Sequence, residues 1–262
     1  MQLNYRHFPC DNQQGDTVLI LHGLFGSRNN WAPLAHQLKK NHEVYALDLR
    51  NHGDSGHTDS MTYPEMANDV VSFLEDKNLP RVSILGHSMG GKVGMQLALE
   101  TPERISRLVV ADIAPRNYGP RHDRIFEAVD AIDQALLTSR ADAEKLIRDI
   151  LPDQQLRLFL LTSLARDEDD ILSWRTNMHG IRKNYQALSA PPPAAKEGRQ
   201  YDGPVLFIAG EQSPYIRESD RPLILSLFPE ARIEAINTGH WMHVQQPALF
   251  FQLVNTFLLG QL

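Results

Sequence analysis

Gly86-His87-Ser88-Met89-Gly90 decides how this chain is read. The pattern Gly-x-Ser-x-Gly is that of a nucleophile elbow, in which a serine is held on a strained turn between a strand and a helix. Five residues with three fixed positions recur by chance, so the flanks carry the weight. Val82-Ser83-Ile84-Leu85 is short and apolar, the mark of a buried parallel strand. Gly91-Lys92-Val93-Gly94-Met95-Gln96-Leu97-Ala98-Leu99 follows with the pattern of a closely packed helix. The glycines admit a positive φ at the turn and let the helix approach the sheet. A serine so placed exposes its hydroxyl at a helix N-terminus, where N–H groups favour developing negative charge. The competing reading is a tight turn with a solvated serine.

Outward from the elbow, apolar runs alternate with helical patterns, which predicts a mostly parallel central sheet flanked by helices, an α/β fold. Strands are predicted over 17–21, 43–47, 82–85, 108–113, 205–209 and 232–236, with 3–9 as an antiparallel edge strand. Helices are predicted over 31–40, 64–78, 89–100 and 247–259, and Pro64 and Pro247 suit a first helical position. The alternation stops after Ile113. Residues 115–200 carry helical periodicity and no clear strand, with helices expected over 124–137, 141–151, 154–164 and 171–185. Ala190-Pro191-Pro192-Pro193 then favours extended polyproline geometry. The expected organisation is a core in two parts, 1–114 and 201–262, with a helical cap over 115–200. Phe126, Phe159, Leu160, Trp174 and Tyr185 either line an apolar pocket or pack within this insertion.

The bulk numbers set limits. With 262 residues the chain can bury a large core in one α/β domain with an insertion. Its net charge of −6 lacks the clustered positive charge of a nucleic-acid footprint. The single cysteine, Cys10, excludes an intrachain disulfide and a cysteine metal cluster, and is read as a structural thiol. No run is long enough to span a bilayer, and no signal-peptide pattern opens the chain, so the expectation is a soluble, cytoplasmic protein with no membrane partner. Oligomeric state is not legible.

A serine at its ordinary pKa is a weak nucleophile and needs a base and a group that orients the base. Thr238-Gly239-His240-Trp241-Met242-His243 follows the last predicted strand. Gly239 permits a turn that presents His240 as the base; His243 is the second candidate, read as packing ahead of Pro247. The oxyanion needs two backbone donors. One is Met89, after the nucleophile; the other falls in His22-Gly23-Leu24-Phe25-Gly26, with Leu24 first and Phe25 second. Each donor is worth roughly 3–4 kcal/mol to the transition state. His87 reads as packing beneath the elbow and His52 as part of a structural loop near the site. His7, His36, His42, His57, His122 and His179 are scattered without metal-site spacing.

His22-Gly23, Asp48-x-Arg50-Asn51-His52-Gly53-x-Ser55, Gly86 to Lys92 and Gly239-His240 together resemble the α/β-hydrolase superfamily. Arg50-Asn51-His52-Gly53, Ser88-Met89-Gly90-Gly91-Lys92 and Asp112-Ile113-Ala114-Pro115 resemble the YbfF-type bacterial esterases and their mitochondrial relatives. The resemblance implies a serine hydrolase of carboxylic esters, with acyl-CoA thioesters as the alternative, acting on a small-molecule substrate without cofactor or metal. It also implies that the cap follows the sixth strand of the hydrolase pattern. Cofactor-free perhydrolysis and a non-catalytic receptor role are the other readings. One position departs from the family. Many members carry the acid in a Gly-x-x-Asp pattern, where this chain reads Gly210-Glu211-Gln212-Ser213. Glu211 or Asp220 is then the substitute, or the acid is Asp112, which closes the apolar strand before the insertion. Strand carboxyl ends are where open α/β sheets bind ligands, which favours Asp112.

Overall fold

The computed structural model describes residues 1–12, 14–119, 121–135 and 137–262. The strands are β1 (Tyr5–Phe8), β2 (Val18–Leu21), β3 (Val44–Leu47), β4 (Val82–His87), β5 (Ile105–Ala111), β6 (Leu164–Arg166), β7 (Leu172–Trp174), β8 (Val205–Gly210) and β9 (Ala231–Ile236). Seven of them form one sheet in the order β1-β3-β2-β4-β5-β8-β9. Only β1 runs antiparallel, against β3.

Burial on both faces explains why the inner strands β2, β3, β4, β5 and β8 are legible as apolar runs. Leu19 and Leu21 of β2 join Ile84 and Val110 on one face, with Val70, Val93 and Leu97 of α2 (Tyr63–Asp76) and α3 (Met89–Glu100). Val18 and Ile20 join Leu85, Val109, Leu206 and Ile208 on the other, with Leu34 and Leu38 of α1 (Ala32–Leu38) and Phe250 and Val254 of the C-terminal helix Pro247–Leu258. Alternate residues of one strand thus feed two cores, as a period of two requires. Each such side chain contributes about 1.5–3 kcal/mol relative to exposure.

The segment after β5 differs in part from expectation. It holds α4 (Asp123–Ala135), α5 (Arg140–Leu146), α6 (Gln154–Leu161) and α7 (Met178–Ser189). Leu136, within the predicted 124–137 helix, lies outside the described residues. The expectation of no strand here is corrected. β6 and β7 pair as an antiparallel hairpin, so the start of the predicted 171–185 helix is a strand and α7 begins only at Met178, capped by Asn177. The hairpin turns at Asp167, whose carboxylate accepts the N–H groups of Asp169 and Ile171. An Asx turn of this kind diverts the backbone from a helix. The predicted 141–151 helix also stops early, at Leu146.

Two contacts tie the end of α7 to the core. Tyr63 Oη donates to Leu188 O at 2.6 Å, and the buried Lys92 Nζ donates to Ala190 O at 2.6 Å. The chain re-enters the sheet through a 3₁₀ turn, Pro193–Lys196, and β8. α8 (Arg221–Leu227), α9 (Met242–Gln245) and α10 (Pro247–Leu258) complete the fold. Among the described residues no helix is long and apolar enough to cross a membrane.

Register decides where loops meet. Leu21 pairs with Gly86, Gly86 with Val110, Ala111 with Ile208, and Gly210 with Ile236. The carboxyl ends of five strands therefore lie side by side, and the segments that leave them form one crevice.

Candidate active site

Ser88 leaves β4 and opens α3 with φ 51° and ψ −116°, a conformation rare for a residue with a Cβ. Such strain costs about 1–3 kcal/mol and persists only where its surroundings over-determine it. Here Ser88 N–H donates to Ala111 O at 3.0 Å, and close backbone contacts leave the turn no room to relax. A Cβ on Gly86 would lie 2.3 Å from Gly90 O, and one on Gly90 would lie 2.2 Å from Leu21 O. That contact is why the motif requires glycine on both sides of the serine.

Asp112 closes β5 with a φ of 51° of its own and is completely buried. Its carboxylate is met by three donors. Oδ1 accepts Gly210 N–H at 3.1 Å, and Oδ2 accepts the Ser213 hydroxyl and His240 Nδ1–H, the latter at 2.7 Å. Burying a charge without such partners would cost several kcal/mol. Ser213, at the fourth position of the Gly210-x-x-Ser213 segment, thus bonds the carboxylate that arrives from the neighbouring strand. The other two carboxylates lie elsewhere. Asp220 pairs with Arg116 at 3.0 Å and caps Arg217 N–H at 2.9 Å. Glu211 is exposed.

With its Nδ1–H on Asp112, a neutral His240 keeps Nε2 as an acceptor. Its ring stacks on Tyr215 at 4.3 Å, and its carbonyl accepts His87 Nε2–H at 2.9 Å. His87 is therefore a strut for the His240 loop, beyond packing beneath the elbow. His243 does not reach Asp112; it stacks on Trp31 at 4.2 Å.

The loop after β2 lies against the elbow, since a Cβ on Gly23 would lie 3.3 Å from Ser88 Cβ. Two buried histidines shape it. His22 donates through Nδ1 to Gly23 O at 2.8 Å and accepts Leu49 N–H through Nε2 at 3.0 Å. His52 donates through Nδ1 to Arg50 O at 2.9 Å and accepts Phe25 N–H through Nε2 at 3.1 Å. The Phe25 N–H is thus engaged by His52. That of Leu24 donates to no side chain among the described residues, and Met89 opens α3, where an N–H has no partner within the helix. The role of His52 was beyond sequence reasoning, because its partner lies on a different loop.

Burial holds His22 near a pKa of about 4, His243 at about 4 and His52 at about 3, and pushes His87 well below its ordinary 6.5. All four are neutral when folded, whereas the unfolded chain protonates them below about 6.5. The unfolded state binds more protons there, so their contribution to stability is full above pH 6.5 and is lost as pH falls toward 4. Melting temperature is expected to fall steeply between pH 6.5 and 4. A flat profile across that lower range would contradict the buried neutral histidines.

Ser88 and His240 both line a cavity of about 450 Å³. Its other walls come from the His22–Gly26 loop and from Leu156, Phe159, Tyr185 and Leu188 of α6 and α7. Of the aromatic candidates, Phe159 and Tyr185 line it. Phe126 and Leu160 are core residues, and Trp174 donates its indole N–H to Asp133 at 2.7 Å.

A seven-stranded, mostly parallel sheet with a serine on the strand-to-helix turn defines the class, and residues 16–247 match the α/β hydrolase fold family; the chain belongs to that family. Within it the chain is of the YbfF type. It is 36% identical over 263 residues to Esterase YbfF of Escherichia coli (strain K12), covering 98% of this chain and 99% of that one. It is 36% identical over 253 residues to the sn-1-specific diacylglycerol lipase ABHD11 of Xenopus laevis, covering 93% and 80%. Among solved structures, a marine microorganism esterase superposes with a TM-score of 0.93 at 38% identity, covering 98% of this chain and all of that one.

Proposed function

We propose that this protein hydrolyses carboxylic esters through an acyl-serine intermediate. The observation that carries this reading is the 2.7 Å bond from buried Asp112 to His240, which lines the cavity that also holds Ser88. Ser88 Oγ adds to the acyl carbon while His240 Nε2 takes its proton, and Asp112 stabilises the imidazolium. The N–H groups of Leu24 and Met89 hold the oxyanion. On collapse the C–O bond to the alcohol breaks, and His240 returns the proton to the departing alkoxide. Water, deprotonated by His240, then adds to the acyl-Ser88 ester. The acid leaves and Ser88 regains its proton.

Residues 115–200 act in this scheme as a cap on a core made of 1–114 and 201–262. The cap supplies the apolar wall on which an acyl chain or alcohol lies. The names of the relatives, an esterase and a diacylglycerol lipase, support esters as the substrate class. Thioesters are open to the same addition.

A series of p-nitrophenyl esters of increasing chain length, run beside acyl-CoA thioesters and a peroxide assay, tests the reaction and separates its variants. Failure of a serine-directed phosphonate to react would favour a non-catalytic receptor. His240→Ala is expected to abolish turnover, whereas His243→Ala, which removes a ring stacked on Trp31, lowers it only a few-fold. The reverse ranking would move the base to His243.

A further inference from the structure

His122 sits at the start of the insertion and belongs to the wall of the cavity that holds Ser88 and His240. Its backbone is held in place, since its carbonyl accepts the N–H groups of Ile125 and Phe126 at 2.9 and 3.0 Å. Its ring stands edge-on to Phe25 of the loop after β2 and to Tyr185 of α7, with centroids 5.7 and 5.3 Å away. Nδ1 lies 2.5 Å from Tyr185 Oη. That same hydroxyl accepts Arg121 N–H at 3.0 Å.

These contacts favour one position for the imidazole proton. A tyrosine hydroxyl has one proton to donate. Among the described residues its one acceptor is His122 Nδ1, and when the hydroxyl donates there Nδ1 carries no proton and the neutral ring carries its proton on Nε2. The ring is neutral because burial, with His240 and Arg121 nearby and only Asp123 opposing, brings its pKa to about 4. The Nε2–H has no acceptor among the described residues. A hydrogen-bond donor on the wall of a mostly apolar cavity is the kind of group that orients a ligand.

We propose that His122 is a specificity-determining donor. Its Nε2–H binds an acceptor oxygen of the substrate outside the scissile group, so that the cavity favours esters bearing an ether or second carbonyl oxygen over plain alkyl esters of equal length. This rests on the ester-hydrolase reading above. It differs from the oxyanion donors, which bind the scissile oxygen and do not distinguish such substrates.

The test compares two isosteric pairs. On the acyl side these are p-nitrophenyl 3-methoxypropanoate and p-nitrophenyl pentanoate; on the alcohol side, 2-methoxyethyl and butyl butanoate. The ratio of kcat/KM, ether over alkyl, is expected to fall about tenfold in His122→Phe for at least one pair. His122→Gln, which retains a side-chain N–H, is expected to recover part of it. Two-bond ¹H–¹⁵N spectra of the intact enzyme are expected to show the Nε2–H tautomer at His122, and Tyr185→Phe to show a mixture. Unchanged ratios in both pairs for His122→Phe, or an Nδ1–H tautomer in the unsubstituted protein, would overturn the proposal. Activity surviving in Ser88→Ala would instead overturn the underlying reading, and the tautomer measurement stands apart from it.

Discussion

Ser88→Ala is expected to fold normally and to lose ester hydrolysis by about 10⁴–10⁶-fold in kcat. The substitution deletes one oxygen and keeps the Cβ, so the elbow retains its packing and its bond to Ala111 O. It leaves Asp112 and His240 joined, and leaves the Leu24 and Met89 N–H groups in place. What disappears is the atom that, in the proposed mechanism, becomes covalently bound to the acyl carbon. The remainder is catalysis by binding and oxyanion stabilisation, which in a serine hydrolase keeps some 10³–10⁴-fold over water. Initial rates on p-nitrophenyl esters measure the loss, and a thermal melt checks the fold. Mass spectrometry after phosphonate treatment is expected to place the adduct on Ser88 and to find none in the variant. Retained turnover, or an adduct on a different serine, would sink the assignment of the nucleophile.

Asp112→Asn is expected to lower kcat by roughly 10²–10⁴-fold with the fold intact. The reason is the proton on His240. The carboxylate accepts Nδ1–H, so that Nε2 is free to take a proton. An asparagine that turns its amide N–H₂ toward the ring would have Nδ1 accept, placing the imidazole proton on Nε2, and that ring cannot act as the base. The Gly210 N–H keeps an acceptor if the Asn oxygen occupies the Oδ1 position, which argues for a folded variant. Glu211→Gln and Asp220→Asn serve as controls and are expected to cost less than tenfold, or about 1.4 kcal/mol of barrier. Asp220→Asn is expected to lower the melting temperature as well, because the half-buried pair with Arg116 is weakened. A near-normal Asp112→Asn beside a crippled Glu211→Gln would move the acid to the loop after β8.

Much of the sheet was legible because a strand buried on both faces must be apolar along its whole length. The runs at 17–21, 43–47, 82–85 and 205–209 differ from the observed strands by one or two residues at their ends. The hairpin at 164–174 was not legible. Each of its strands has three residues, too few to show a period of two. Its turn depends on the side chain of Asp167, and the helical pattern on either side masked it. The carboxylates show the same limit within the site. Asp112, Glu211 and Asp220 are chemically alike as letters, and a serine at position 213 in place of the expected aspartate removed the one local cue.

The sequence by itself determined the elbow, the order along the chain of the strands of the central sheet, and the glycines the turn requires. These follow from local sterics and from the periodicity of burial within a single element. Only the tertiary structure decided which carboxylate faces His240, which N–H of the loop after β2 is engaged, and that His122 meets the Tyr185 hydroxyl. Asp112 and His240 are 128 residues apart, Asp112 and Ser213 are 101 apart, and His122 and Tyr185 are 63 apart. Such pairs meet because the register of β4, β5, β8 and β9 aligns their carboxyl ends, and because the insertion folds back over them. A hydrogen bond depends on distances of a few tenths of an ångström, and no one-dimensional pattern specifies those across a sheet.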